Sequence, residues 1–382
     1  MGTLELFFDL VFVFAITQVS HVLLNNEVSW EFAGQAMLCL LVVWSAWNYT
    51  TWVTNELDPE APIVQLLMVA VMFASLLMAI AIPQAFGAKA LLFAGSYVAI
   101  QVGRHLFLTF VAADRGTIER ERAGRILAWF VAAGVLWIAG ALAEGTTRTL
   151  LWIAALALDY GAPLVLYWVP GRPRLGSDTW LVETGHFAER FGLFVIIALG
   201  ESIVLTGATT AGLELDTATV GAFAGAFLGT AALWWLYFAS VARLAERALA
   251  EASDRTLVAR DAYTYGHFLI IAGIVLTAVG DELVIAHPTD PLPSAELVAV
   301  VGGPVLYLLA QVLLRLRMTG SISTRRLGGA LACVGVGILA SGASALIVGL
   351  LLLAVLVAVI VADTIAMRRR RDSDSSRSPA PA

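Results

Sequence analysis

Glu5 and Asp9 stand four residues apart at the head of an apolar run. That spacing puts both carboxylates on one face of a helix. Two carboxylates so close in a medium of low dielectric do not both ionise cheaply. The pattern asks for a retained proton, a cation between them, or an arginine partner in the interior. For Glu5 the other reading is a cap, its carboxylate facing the positive end of the helix dipole at the membrane edge. Gln18 and His21 continue along the same helix. A second cluster joins His186, Glu189 and Arg190 within one turn, and Glu201 follows twelve residues after Glu189, ~18 Å farther along a helix axis. Gly200 and Ser202 flank Glu201 after a continuous apolar stretch, so its carboxyl must be protonated, paired or hydrated.

Other ionisable groups are scattered. Arg104 and His105 fall inside an apolar run, Tyr265 and His267 open another, and Asp281 and Glu282 close it; Asp159 and Asp363 sit in two more. Arg104 is the natural counter-ion for an acid on the first or seventh run. His267 is read either as hydrogen-bonded packing or as part of a proton relay. Insertion of a charge at the bilayer centre costs about 2.5–3.5 kcal/mol, so each of these groups is a candidate for function. Trp44, Trp47, Trp52, Trp234 and Trp235 read mainly as interface-belt aromatics. The alternative makes Trp47, Asn48, Tyr49, Trp234 and Trp235 the lining of a pathway, with cation–π contacts. The His186/Glu189 spacing is half a metal site, but one His and one Glu are too few ligands. Neither a metal nor a cofactor is expected.

These residues need elements to hold them, and composition says which. The 382 residues are 59% hydrophobic and 14% charged, with a mean hydropathy of +0.85. A soluble domain carries roughly 25% charged residues. The solvent is therefore lipid and the repeating unit an apolar run of ~20 residues. Twelve such runs appear, near 4–24, 32–54, 62–83, 88–112, 126–143, 148–169, 187–207, 218–242, 263–285, 296–317, 326–342 and 344–366. The expected fold is all-α and polytopic. The last two runs are separated only by Ser341 to Ser344, where a single re-entrant segment is the alternative. Cys39 and Cys333 both lie inside apolar runs and read as small hydrophobes. The chain begins without a positive n-region or a small-residue cleavage site, so the first run is expected to stay as the first helix.

Arginine sets the expected orientation. Nineteen of the 23 basic residues fall in even-numbered loops and the tail, against Lys89 and Arg148 in the odd-numbered loops. Basic residues stay in the cytoplasm, which puts both termini there and favours the cell membrane as the location. The loop after the second run breaks the pattern, with Glu56, Asp58 and Glu60 and no basic residue. The net charge of −6, without a basic stripe interleaved with aromatics, argues against a nucleic-acid partner. The bilayer is the expected partner, with a small solute or cation beside it. No feature specifies an oligomeric state.

The two series of six runs echo one another. Glu5-Leu-Phe7 matches Glu189-Arg-Phe191, Trp44 to Tyr49 matches Trp234 to Tyr237, and Gln101-Val102 before Arg104 matches Gln311-Val312 before Arg315. Six crossings per unit give both units one orientation, a parallel repeat. The expected organisation is a first repeat over 1–175, a second over 176–366 and a disordered basic tail over 367–382.

The stretch from Leu4 to Gln18 (LELFFDLVFVFAITQ) resembles the opening signature of the low temperature requirement protein A family. Gly185 to Ser202 (GHFAERFGLFVIIALGES) is similar to its second signature. Tyr263 to His267, with Ile271 to Gly273, is similar to a third. The resemblance covers the chain up to the tail. It implies a multi-pass membrane protein associated with growth in the cold, and marks Glu5, Asp9, Gln18, Trp47, Asn48, Tyr49, His186, Glu189, Arg190, Glu201 and His267. A shorter resemblance joins Phe8-Asp9 and Thr17 to the first helix of the lysosomal potassium channel family; the Ser of that motif is missing, and position 193 in the second unit is Leu.

Three functions are consistent with this pattern. A translocator would bind a small solute, cation or proton at the acids of helices 1 and 7, with Arg104 and Arg190 as counter-charges. A non-transporting factor would use the same charges as interhelical ties. An enzyme on a lipid-linked substrate would use His186, Glu189 and Glu201 as acid–base groups, but no large soluble loop, nucleophile elbow or phosphate-binding Gly loop accompanies them.

Overall fold

The computed structural model describes residues 2–24 and 28–375, the last six as backbone only. Twelve helices lie in this range. They are α1 Thr3–Leu24, α2 Trp30–Thr54, α3 Pro62–Gln84, α4 Ala90–Ala112, α5 Ile118–Leu142, α6 Gly145–Val165, α7 Thr184–Ala211, α8 Thr217–Ala250, α9 Arg255–Ala286 and α10 Ser294–Thr319, then α11 Thr324–Leu339 and α12 Ala345–Ser375. Eleven are long and apolar enough to cross a membrane; α11 is the exception, with 16 residues. The all-α polytopic fold is thus the one expected.

Local chemistry starts and stops these helices. Ser29, Thr117 and Asp216 cap α2, α5 and α8 by accepting a bond from the amide three residues on, which satisfies one of the orphan donors of a first turn. Pro62 opens α3, where its missing N–H costs nothing. Gly320 ends α10 with φ of 66°, a left-handed stop that glycine takes without strain. Three stretches are wound more widely as π-helix: Leu108–Ala112 in α4, Tyr237–Val241 in α8 and Ala259–Gly266 in α9.

The close of the chain settles how α11 runs. Pro291, just before α10, forms an antiparallel bridge with Ser344, just before α12. The amides of Ala345 and Leu346 donate to the carbonyls of Asp290 and Pro288. The starts of α10 and α12 are therefore at the same level, and α11 with its flanking connections returns the chain to it. The runs near 326–342 and 344–366 are two helices, not one re-entrant segment. Past the membrane end, α12 continues as helix through Ser375, where a disordered tail was expected from 367; residues 376–382 lie outside the described range.

Two compact units divide the chain. The first comprises Met1–Glu201 with Glu246–Phe268, the second Ser202–Ala245 with Leu269–Ala382. In the first, α1 packs on α2 and α3, α3 on α4, α4 on α5 and α5 on α6. Its α2 is the most deeply placed helix, with Trp44, Trp47, Asn48 and Thr50 all within 1% of complete burial. In the second, α12 packs on α8 and α11, and α10 packs on α11. Helix α1 displays the pattern of a membrane span turned inside out. Leu6, Phe7, Leu10 and Phe14 are exposed while Glu5 and Asp9 are buried, so the apolar face meets lipid and the charges face protein.

Candidate functional site

The first unit brings together most of the residues singled out in α1 and α7. Asp9 and Arg190 form a fork of two parallel bonds, Nη1 to Oδ2 at 3.0 Å and Nη2 to Oδ1 at 2.9 Å. Such bidentate pairs are the strong ones. Trp47 Nε1 donates to the same Oδ1 at 2.8 Å, and the guanidinium carbon lies 5.8 Å from the rings of both Phe8 and Trp47. Glu5 lies one turn earlier. Its Oε2 is 3.0 Å from His186 Nε2 and accepts from the Gly2 amide, and its Oε1 is 4.0 Å from Arg190 Nε. The two carboxylates of α1 thus bond to different basic residues of α7, Asp9 to Arg190 and Glu5 to His186, and the Arg190 guanidinium also lies within ion-pair distance of Glu5.

The remaining expected residues are dispersed. Glu201 is buried and accepts from Thr17 Oγ1 at 2.5 Å, far along α7 from the fork. Glu189 is exposed and Gln18 half-buried. Arg104 is buried, but it reaches no acid of α1 or α7: it donates to Thr50 Oγ1 at 2.6 Å and to Gln101 Oε1. His267 is buried, its Nδ1 is 2.9 Å from the Ala262 carbonyl, and its ring stacks on Tyr263 at 4.8 Å. Trp44 and Trp47 are not belt residues: they are 1% and 0% exposed, in an aromatic cluster with Phe191 and Phe194. Trp234 and Trp235, in the second unit, are 46% and 51% exposed.

Asn48 and Tyr49 lead instead to a cavity of about 310 Å³ inside the first unit. Its wall is strongly aromatic, from Tyr49, Trp52, Tyr167 and Trp180. Asn48, Thr264 and His105 supply polar groups, and Glu56, Arg122 and Arg260 supply charge. Thr264 Oγ1 donates to Asn48 Oδ1 at 3.1 Å and accepts from Trp52 Nε1 at 3.0 Å. Tyr167 donates to the Tyr49 hydroxyl at 2.8 Å. Arg122 bonds to Glu56 and to the Thr179 carbonyl, and its guanidinium lies 5.6 Å from the Trp180 ring. Burial holds the Glu56 carboxyl above its usual range while Arg122 pulls it the other way.

The backbone around the cavity is irregular. Leu108 and Ala112 belong to the π-helical end of α4, Arg260 and Thr264 to the π-helical part of α9. Leu166 and Tyr167 follow α6 with φ of 50° and 53°, left-handed values that cost a bulky residue roughly 1–2 kcal/mol. Wide helical turns and strained residues both gather at functional sites. Of the residues singled out in the sequence, Asn48, Tyr49, Trp52 and His105 line this space. Glu56, Arg122, Tyr167, Trp180 and Arg260 were missed, the arginines having been read only for topology. A signal was present: the loop carrying Glu56 is acidic on the side where every other loop is basic, which asks for an arginine partner from a neighbouring loop.

The sequence matches the profile of the bacterial low temperature requirement A protein over residues 1–361. It is 40% identical over 305 residues to an uncharacterized protein of Rhizobium meliloti (strain 1021), a match covering 80% of this chain and 74% of that one. No solved structure matches it. With eleven apolar helices of spanning length and a match that runs from the first residue almost to the tail, the chain is an integral membrane protein and belongs to the bacterial LtrA family.

Proposed function

We propose that the protein translocates a small solute, taken up into the cavity of the first unit from the arginine-rich side of the membrane. The observation that carries this reading is the cavity itself: about 310 Å³, within the range of small-molecule sites, and lined by aromatic rings with a few converging polar groups. The positive-inside pattern makes that side the cytoplasm, with both termini there, in the cell membrane. The rings of Tyr49, Trp52, Tyr167 and Trp180 suit a solute with an apolar or cationic part. Asn48, Thr264 and His105 suit its polar end. The echoes between the two sequence halves support a transporter built from parallel repeats.

The test is uptake into proteoliposomes holding the full chain, using a panel of amines, amino acids and monovalent cations. At least one compound should enter faster than into empty vesicles. Trp52→Ala, which removes one wall of the cavity, should cut that rate about tenfold, the equivalent of ~1.4 kcal/mol of lost binding. Uptake equal to that of empty vesicles across the panel would sink the reading.

A second reading is favoured by the fork of Asp9 and Arg190. Acids so paired serve as interhelical ties, as in a non-transporting factor that supports membrane function in the cold. Under it, Asp9→Asn lowers stability and no compound is carried by the wild type.

A further inference from the structure

Asp159 lies on α6 and is 3% exposed, buried as deeply as the acids of α1. Among the described residues it makes no ion pair. Its Oδ2 accepts from Tyr97 Oη at 2.9 Å and from Trp137 Nε1 at 3.0 Å. Its Oδ1 is buried and, among the described residues, accepts no hydrogen bond. A carboxyl without a cation beside it in a dry bundle calls for compensation from farther off.

A polarised chain supplies it. Arg104, the other buried charge in this part of the unit, donates to Gln101 Oε1. Gln101 Nε2 donates to Ser45 Oγ and to Tyr97 Oη, both at 3.0 Å. With Tyr97 donating to Asp159, Ser45 Oγ, 2.8 Å away, is the donor to Tyr97. Every bond in the chain therefore points from guanidinium to carboxylate. Neutral groups two deep relay the positive end of the network to the acid, and aligned donors of this kind reinforce one another. The arrangement favours an anion on Asp159 and leaves the lone pairs of Oδ1 unused.

We propose that Asp159 is a proton-binding site in the membrane interior, loaded and unloaded at Oδ1, with the Arg104–Gln101–Tyr97 chain holding its deprotonated form. Loading forms one O–H bond at Oδ1 and cancels one negative charge. Release returns the proton to water and leaves the two bonds at Oδ2 in place. The titratable groups that face Asp159 are tyrosines: Tyr49 from α2, which donates to its main-chain carbonyl at 3.0 Å, Tyr97 from α4, Tyr160 from its own helix, and Tyr167 behind Tyr49. His105 of α4 turns its Nδ1 to the Gln101 carbonyl at 2.9 Å. Trp137 faces it from α5. Tyr49 and Tyr167 also line the cavity, but the site stands whether or not the cavity carries a solute.

The test is an infrared titration of the full chain in lipid nanodiscs, following the C=O stretch of protonated carboxyl groups. The expected result is a band that grows as pH falls and is missing from Asp159→Asn. Arg104→Gln removes the cation that favours the anion and should raise the midpoint by about one pH unit. Tyr97→Phe removes a single hydroxyl, should move the midpoint the same way, and serves if Arg104→Gln does not fold. A wild type without such a band, a band unchanged in Asp159→Asn, or a midpoint fixed in the folded variants overturns the proposal. So does a midpoint that moves with sodium or potassium concentration, which would make Oδ1 a metal-cation site.

Discussion

Asp9 shows what a single membrane carboxylate can be for. Its two oxygens take both arms of Arg190 and the Trp47 indole, so the charge is satisfied on site. Removing one member of such a pair strands the other without water, which costs about 3–5 kcal/mol. Asp9→Asn should therefore lower the melting temperature in detergent markedly. Adding Arg190→Gln should return part of the loss, because the stranded charge is then gone. A single variant that melts like the wild type would contradict the closed pair. The spacing of Glu5 and Asp9 was legible as a shared face; their division between His186 and Arg190 was not. Partner choice depends on the rotation of α7 against α1, and periodicity along one helix carries no information about its neighbour. The cavity was hidden for the same reason, since its wall is drawn from loops and helix ends distant in sequence.

At the scale of elements, length and hydropathy were enough to place nearly every helix, because lipid leaves the backbone almost no other option. Their close crossings are set by smaller features. In the second unit a Cβ added at Gly303 of α10 would lie 2.5 Å from the Thr277 main-chain nitrogen of α9. Backbone cannot swing aside as a side chain can, so α9 and α10 would have to separate. Gly303→Ala should cost about 1–3 kcal/mol in thermal unfolding. Gly335 of α11 has open space around its position, and Gly335→Ala should be neutral or slightly stabilising, since alanine is the better helix former. Equal effects of the two substitutions would count against the tight crossing. The π-helical turns escaped the sequence reading altogether; hydropathy does not register one extra residue in a turn.

For the whole molecule, orientation is the property that the arginine count addresses. Cys39 and Cys333 are buried, so a membrane-impermeant maleimide should label the wild type poorly in intact cells. Asp58→Cys should stay unlabelled until cells are opened, and Thr146→Cys should label from outside. The opposite result would invert the topology. One element sets a different condition on the bilayer. Helix α11 has 16 residues, ~24 Å of rise, where α10 has 26. The hydrocarbon layer is ~30 Å thick, a few ångström more than this helix alone, and hydrophobic mismatch of that size carries a modest cost. Acyl chains straighten and the layer swells as a membrane is chilled. A thicker layer widens that mismatch, so α11 is the element of the fold whose length depends most on the bilayer around it.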